Sequence, residues 1–187
     1  MARSLYSAIV LFVLLSVVTG GLYPLVVTLI AQGFFPHQAN GSLVREGDKI
    51  VGSELIGQQF SSEKYFWPRP SAASYNGAAS TGSNLGPTNP ALVDNVRAAA
   101  VKLGSTADKP APIDLVTSSG SGLDPDISPA AAHYQIARVA KVRGISEEKI
   151  RQLVDSKTVD RTLGILGEKR VNVLDLNRAL DALAAVK

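Results

Sequence analysis

The segment Ser118–Asp126 carries the residue types that enzymes most often use for nucleophilic chemistry. It supplies Ser119 and the carboxylate of either Asp124 or Asp126, and His133 follows closely, so a hydroxyl, an imidazole and a carboxylate are available for a serine-hydrolase triad. A hydrolase that uses Ser119 and His133 is therefore one hypothesis. The segment has neither the Gly-x-Ser-x-Gly elbow of that class nor the Gly-Lys-Ser/Thr ending of a phosphate loop, which favours a non-catalytic role.

Metal chemistry is disfavoured by composition. The chain has no cysteine and only two histidines, His37 and His133, so a transition-metal centre lacks its preferred ligands. We therefore expect no cofactor or metal to be bound by this chain alone.

Two segments have the composition of a protein-protein contact. The first contains Trp67 and Arg69 among prolines, the residue types enriched in interfaces, although its aromatic side chains are equally suited to holding a loop on the core. The second either contacts a partner or shapes the entry to the helix that starts at Ser128. Its candidate contact residues are Ser119, Gly120, Ser121, Gly122 and Asp124.

The N-terminus has the composition of a membrane span. No charged residue occurs from Leu5 to Ile30, a run that reaches about 39 Å as a helix. A cleaved secretory signal is the alternative, but the apolar run is longer than a signal core. We therefore predict a retained anchor over residues 1–35, with its span at about 7–30.

The charge on either side of the anchor predicts its orientation. Arg3 precedes the span, and no Lys or Arg follows it before Arg45, which favours a cytoplasmic N-terminus and an extracytoplasmic domain over residues 36–187. The net charge is +3 with bases and acids interspersed, so no nucleic-acid surface is expected. Within the span, Ser16 and Gly20 form a small-x-x-x-small pair that favours close packing against another helix, and Pro24 predicts a kink.

The remaining patterns predict an α+β fold: one transmembrane helix followed by a single small mixed domain. A hairpin is expected around Gly47, a long loop over Ser61–Asn89 and a strand over 113–117. Four helices are expected to begin at the capping residues Asn89, Ser128, Ser146 and Asn172. The apolar face of the first is Leu92, Val93, Val96, Ala100 and Leu103.

Several segments, in this order, resemble the C subunit of the bacterial Kdp potassium-transporting ATPase. They are Tyr65–Ala72, Gly82–Pro90, Ser119–Pro129, Arg161–Gly164 and Val171–Leu174. The resemblance runs from the anchor almost to the C-terminus. It implies an accessory subunit of the bacterial inner membrane, needed for assembly and turnover, whose partners are a potassium-channel-like subunit and a P-type ATPase catalytic subunit.

The resemblance also implies an effect on ATP. The family is described as raising the ATP affinity of the catalytic subunit, and its Ser-Gly-Ser-Gly stretch has been likened to a nucleotide-contacting signature. With the predicted orientation, Ser119–Asp124 face away from cytoplasmic ATP. We therefore expect an indirect effect, with ATP and K⁺ handled by the partner subunits.

Overall fold

The computed structural model describes residues 2–185, in which helices and short strands alternate along the chain. In order, the helices and strands are α1 (Ala2–Val17), a π-helical turn (Val18–Leu22), α2 (Tyr23–Phe34), α3 (Pro36–Ala39), β1 (Leu43–Glu46), β2 (Lys49–Ser53), α4 (Pro90–Lys102), α5 (Ile113–Val116), β3 (Asp126–Ile127), α6 (Pro129–Arg143), α7 (Glu147–Ser156), β4 (Thr158–Val159), β5 (Arg170–Asn172) and α8 (Val173–Ala185). The predicted mixed fold after one N-terminal apolar helix is confirmed. The chain divides into two compact units, Met1–Val51 and Gly52–Lys187, and the predicted boundary at residue 35 stays a prediction.

The first unit is dominated by one continuous helical run. Ala2–Phe34 comprises 33 residues and is long and apolar enough to cross a membrane. Its side chains are almost all exposed, as expected of a surface that lipid or another helix would cover. After it, β1 and β2 form the two-stranded sheet of the predicted hairpin.

The helical run changes geometry just before Pro24. Proline has no N–H for the carbonyl of Gly20, four residues earlier, and its ring crowds that carbonyl. Val18–Leu22 form a wider π turn, which the Tyr23 N–H closes by donating to the carbonyl of Val18. The local distortion therefore lies one turn before the proline.

The second unit is built around a small antiparallel sheet with helices packed against it. β5 is the central strand, and Val171 pairs with Ile127 of β3 on one side and with Thr158 of β4 on the other. The core is aliphatic apart from one aromatic ring, and comprises Phe66, Leu115, Ile127, Ala131, Ala132, Ile136, Val139, Ala140, Ile150, Val154, Val171, Val173, Leu176 and Leu180. Most of these residues belong to α6, α7 and α8.

Side-chain caps at three of the four predicted helix starts are confirmed; α7 begins after Ser146 as predicted, but the Ser146 side chain makes no capping hydrogen bond. Asn89 accepts from the Ala91 N–H at 3.0 Å, and Ser128 Oγ accepts from the Ala131 N–H at 3.0 Å. Gly144 ends α6 in the left-handed conformation, with φ +62°. The predicted start of α8 is confirmed too, because Asn172 Oδ1 accepts from the Asp175 N–H at 3.0 Å.

One prediction about this unit is wrong, and another is only partly confirmed. The strand predicted over 113–117 is the short helix α5, in which the Thr117 N–H donates to the carbonyl of Ile113 at 3.0 Å. A strand would alternate its faces, whereas this turn buries the adjacent Leu115 and Val116. In α4 the predicted apolar face is only partly covered: Val93 is 50% exposed, and the helix contains no buried residue, because its main neighbour is the short α5.

The long loop is fixed by side-chain amides. As predicted, the described segment Ser61–Asn89 contains no helix or strand, yet Phe66 is fully buried within it. Its N–H donates to Asn177 Oδ1 at 2.8 Å and its carbonyl accepts from Asn177 Nδ2 at 3.0 Å. Gln135 bonds the N–H and carbonyl of Trp67 in the same way, at 2.8 and 3.1 Å. Two buried amides thus replace a neighbouring strand.

Asn177→Ala should destabilise the protein, because it leaves the buried N–H and carbonyl of Phe66 without partners. Each of these two groups costs about 1–3 kcal/mol, so the free energy of unfolding should fall by about 2–6 kcal/mol. Trp67 is the only tryptophan, so urea unfolding of the detergent-solubilised chain can be followed by its fluorescence. The control Asn95→Ala, on the exposed face of α4, should change stability by less than about 0.5 kcal/mol. Equal effects of the two substitutions would contradict this account.

Candidate functional site

The two segments with the composition of a contact surface lie against each other. Arg69 Nη1 is 3.0 Å from Asp124 Oδ2, and both side chains are partly exposed, at 26% and 30%. The Ser119 N–H donates to the carbonyl of Pro70 at 3.1 Å. We call the region formed by Trp67–Pro70 and Ser119–Asp124 the loop patch. Gly120 and Ser121 are exposed in it, whereas the candidate contact residues Ser119 and Gly122 are buried.

Two cationic side chains lie over the ring of Trp67. The Arg138 guanidinium carbon lies 3.9 Å from the centroid of its ring, and Lys102 Nζ lies 4.9 Å from it. Both distances are within the range of a cation-π interaction. The indole N–H donates to the carbonyl of Ser62 at 3.0 Å, so the ring has a fixed orientation and is half-buried. The residue both holds the loop and contributes to its surface.

Arg138 joins this segment to α6. Its guanidinium donates to the carbonyls of Glu63 and Tyr65 and to Gln135 Oε1, the last at 2.7 Å. Burial lowers the pKa of Arg138 to about 10, which the nearby carboxylate of Glu63 partly opposes. The group therefore keeps its charge at neutral pH.

The Arg69–Asp124 pair is held on both sides. Burial raises the pKa of Tyr75 to about 12, so at neutral pH its hydroxyl is protonated and donates to the carbonyl of Arg69. Asp124 Oδ1 accepts from the Asp126 N–H at 3.0 Å, while Oδ2 accepts from Arg69. Both carboxylate oxygens therefore have partners, and the position of the ion pair is fixed.

The Ser-Gly-Ser-Gly stretch is shaped by close approach of the backbone. Gly122 has φ +68°, and a Cβ there would come within 2.6 Å of the carbonyl oxygen of Thr81. The Thr81 N–H donates to the carbonyl of Ser121 at 2.9 Å, so the backbone around Thr81 runs beside the Ser-Gly-Ser-Gly stretch. The Leu123 N–H is bonded to Ser121 Oγ at 3.1 Å. At Gly120, by contrast, a Cβ would meet no atom within 4 Å.

His133 is engaged elsewhere. Its Nε2 lies 3.1 Å from Asp155 Oδ1, which links α6 to α7. Within residues 2–185 no hydrogen bond or ion pair joins His133 to Ser119. The hydrolase hypothesis therefore has no support in the structure.

The residues that position the loop patch are the ones that sequence reasoning missed. Gln135, Asn177 and Arg138 lie on helices of the C-terminal third, and the first two are buried among apolar side chains. The sequence does contain a signal for Gln135 and Asn177. Each is an amide on an otherwise apolar helix face, and a buried polar group requires a hydrogen-bond partner.

The remaining candidates, Ser16 and Gly20, belong to the other unit. Ser16 lies in α1 and Gly20 in the π turn, both exposed, and a Cβ on Gly20 would meet no atom within 4 Å. The small-residue surface is therefore open to another helix.

Comparisons with known proteins agree along nearly the whole chain. Residues 5–182 match the family model KdpC, described as K⁺-transporting ATPase, c chain. A potassium-transporting ATPase KdpC subunit of Polynucleobacter asymbioticus is 58% identical over 181 residues, which cover 94% of this chain and 96% of the relative. The KdpC subunit of Burkholderia orbicola strain MC0-3 is 55% identical over 183 residues, 95% of each chain, and that of Burkholderia mallei strain SAVP1 is 56% identical over the same length and coverage.

Gly122→Ala should loosen the loop patch. The substitution places a side chain at a positive φ and against the Thr81 carbonyl, and such strain costs about 1–3 kcal/mol. We expect a lower midpoint of thermal unfolding and altered fluorescence of Trp67. Gly120→Ala, two residues earlier in the same loop, is the matched control and should have little effect. If Gly120→Ala were as damaging as Gly122→Ala, the close approach would not explain the glycine.

Proposed function

Since this chain belongs to the KdpC family, the c chain of the K⁺-transporting ATPase, we propose that it is a non-catalytic accessory subunit that docks through the loop patch. As a family member it is an accessory subunit of the Kdp complex. The observation that carries the docking proposal is the ion pair between Arg69 and Asp124. It joins two separate segments into one fixed, partly exposed surface.

The proposed partners are a potassium-channel-like subunit and the P-type ATPase catalytic subunit. A single span without ionisable residues cannot provide an ion pathway, since conduction requires rings of carbonyl or carboxylate oxygens from several segments. Potassium and ATP are therefore handled by those partners, and this chain needs no cofactor of its own. Its span, with Ser16 and Gly20 on an open surface, provides a second contact within the bilayer.

The chain is anchored in the bacterial inner membrane with its N-terminus in the cytoplasm. Arg3 before the span and the lack of basic residues just after it favour this orientation. The loop patch then lies outside, and its effect on ATP affinity is a coupling between distant sites. In support, the N–H groups of Ser119 and Leu123 already have acceptors within the protein and are not available to a phosphate.

A reporter enzyme that is active only outside the cytoplasm, fused after residue 187, should be active. The reason is that one span separates the two ends of the chain. Reporter activity in intact cells is the measurement, and a fusion truncated before the span is the negative control. Activity of a cytoplasmic reporter at the same site would contradict the orientation and reopen direct contact with ATP.

Arg69→Ala should weaken docking. Arginine at the centre of an interface contributes about 2 kcal/mol or more, so we expect about a 30-fold loss of affinity for the rest of the complex, with lower K⁺-stimulated ATP hydrolysis. The control is Arg97→Ala, which removes an arginine from an exposed ion pair with Asp94 on α4.

A reversed pair separates docking from folding. Arg69→Asp combined with Asp124→Arg restores the internal ion pair but inverts the charge pattern that a partner meets. The double variant loses the bond that Asp124 Oδ1 accepts from the Asp126 N–H, so its stability should fall by about 1 kcal/mol. We expect it to keep the wild-type fold, checked by unchanged Trp67 fluorescence, and to remain defective in the complex. Recovery of full ATP hydrolysis by the double variant would show that the pair is only structural, and would contradict docking through the loop patch.

A further inference from the structure

The chain contains two Asn-Gly pairs whose hydrogen bonds differ. They are Asn40–Gly41 and Asn76–Gly77. An asparagine that precedes glycine can lose its side-chain amide without an enzyme, because the glycine nitrogen reaches the amide carbon and no side chain on the glycine obstructs it. The hydrogen bonds of the two groups decide whether they react.

At the first pair, both reacting groups are occupied. Asn40 Nδ2 donates to the carbonyl of Pro36 at 2.7 Å and to Gln32 Oε1 at 3.1 Å, so the side chain is directed back towards earlier residues. The Gly41 N–H donates to the carbonyl of Gln38 at 3.0 Å. A backbone nitrogen whose proton is held in a hydrogen bond is a poor nucleophile, so this pair should be stable.

At the second pair, the hydrogen bonds favour reaction. Asn76 and Gly77 are both exposed, and within residues 2–185 the Gly77 N–H has no hydrogen-bond acceptor. Asn76 Oδ1 accepts from the Ala78 N–H at 3.0 Å. This bond closes a ring of side-chain and backbone atoms that includes both the Asn76 amide carbon and the Gly77 nitrogen, and so keeps them near each other.

We propose that Asn76 is a site of spontaneous deamidation. The Gly77 nitrogen loses its proton to the solvent and bonds to Asn76 Cγ, which places a negative charge on Oδ1. The Ala78 N–H already donates to that oxygen and stabilises the charge. The bond from Cγ to Nδ2 then breaks, Nδ2 takes a proton from the solvent and leaves as ammonia, and water opens the resulting succinimide ring to aspartate or isoaspartate.

The product alters the backbone next to the residue that holds Arg69. Isoaspartate carries the main chain through its side-chain carbon, which adds one atom to the backbone, and either product adds a negative charge. The preceding Ser74 and Tyr75 are both in the left-handed conformation, with φ +50° and +56°. The Tyr75 N–H donates to Ser71 Oγ at 3.0 Å, and its hydroxyl donates to the carbonyl of Arg69. Isoaspartate at position 76 weakens both bonds and loosens the loop patch.

Peptide mapping by mass spectrometry tests the site. The purified full chain is incubated in detergent at neutral pH, and fragment spectra locate the conversion of amide to acid at each asparagine and separate isoaspartate from aspartate. We expect conversion at Asn76 to be about tenfold or more faster than at Asn40, whose pair is held by three hydrogen bonds. Equal rates at the two residues, or faster conversion at Asn40, would overturn the proposal.

Gly77→Ala is the matched variant. A Cβ there would lie 3.6 Å from Ile56 Cδ1, which is an ordinary contact, so the variant should fold like wild type. Its methyl group hinders approach of the nitrogen, so deamidation at Asn76 should slow about tenfold or more. An unchanged rate at Asn76 in this variant would overturn the assignment of Gly77 as the nucleophile.

Thermal unfolding of the same samples tests the effect on the loop patch. Before incubation, wild type and Gly77→Ala should have the same midpoint. After incubation, the midpoint should fall in wild type and stay unchanged in Gly77→Ala. Equal midpoints after incubation, in wild type shown by peptide mapping to carry isoaspartate at position 76, would overturn the loosening of the loop patch.

Discussion

The second unit depends on finding hydrogen-bond partners for the buried backbone N–H and carbonyl groups of an irregular segment. A segment without helix or strand can enter a core only if its N–H and carbonyl groups find partners, because an unpaired buried group costs as much as a lost hydrogen bond. Gln135 and Asn177 solve this for two consecutive residues with one amide each. Phe66 can therefore fill the centre of the core without the segment joining the sheet.

The same constraint explains why the surface is ordered. Arg138 and Arg143 donate to the carbonyls of residues 63–65, so the backbone before Phe66 is bound to α6 as well. Because residues 63–67 are held in this way, the residues after Trp67 have a fixed position, and the Ser119 N–H donates to the carbonyl of Pro70 there. The same hydrogen bonds therefore order both the core around Phe66 and the partly exposed loop patch. Substitutions of Gln135 or Asn177 should disturb the loop patch as well as the core.

Local features were predictable from the sequence and distant pairings were not. Asn89 and Ser128 fix helix starts through bonds to residues two or three positions away, so their patterns are sufficient. Residues 113–117 have a strand-like composition, but packing of adjacent side chains into the core selects a helical turn. The sequence predicted Arg69 and Asp124 as contact residues in two separate segments. That Arg69 meets Asp124, 55 positions later, depends on the tertiary fold and has no local signal.

The π turn in the apolar run has a consequence for how the span meets its neighbours. A turn with i to i+5 bonding contains one residue more than an α-helical turn, and each residue rotates an α-helix by about 100°. Side chains that follow one seam along α1 therefore continue on a different side of α2. One span thus offers two separate seams, so a helix packed against the first half leaves the second half open to a different neighbour.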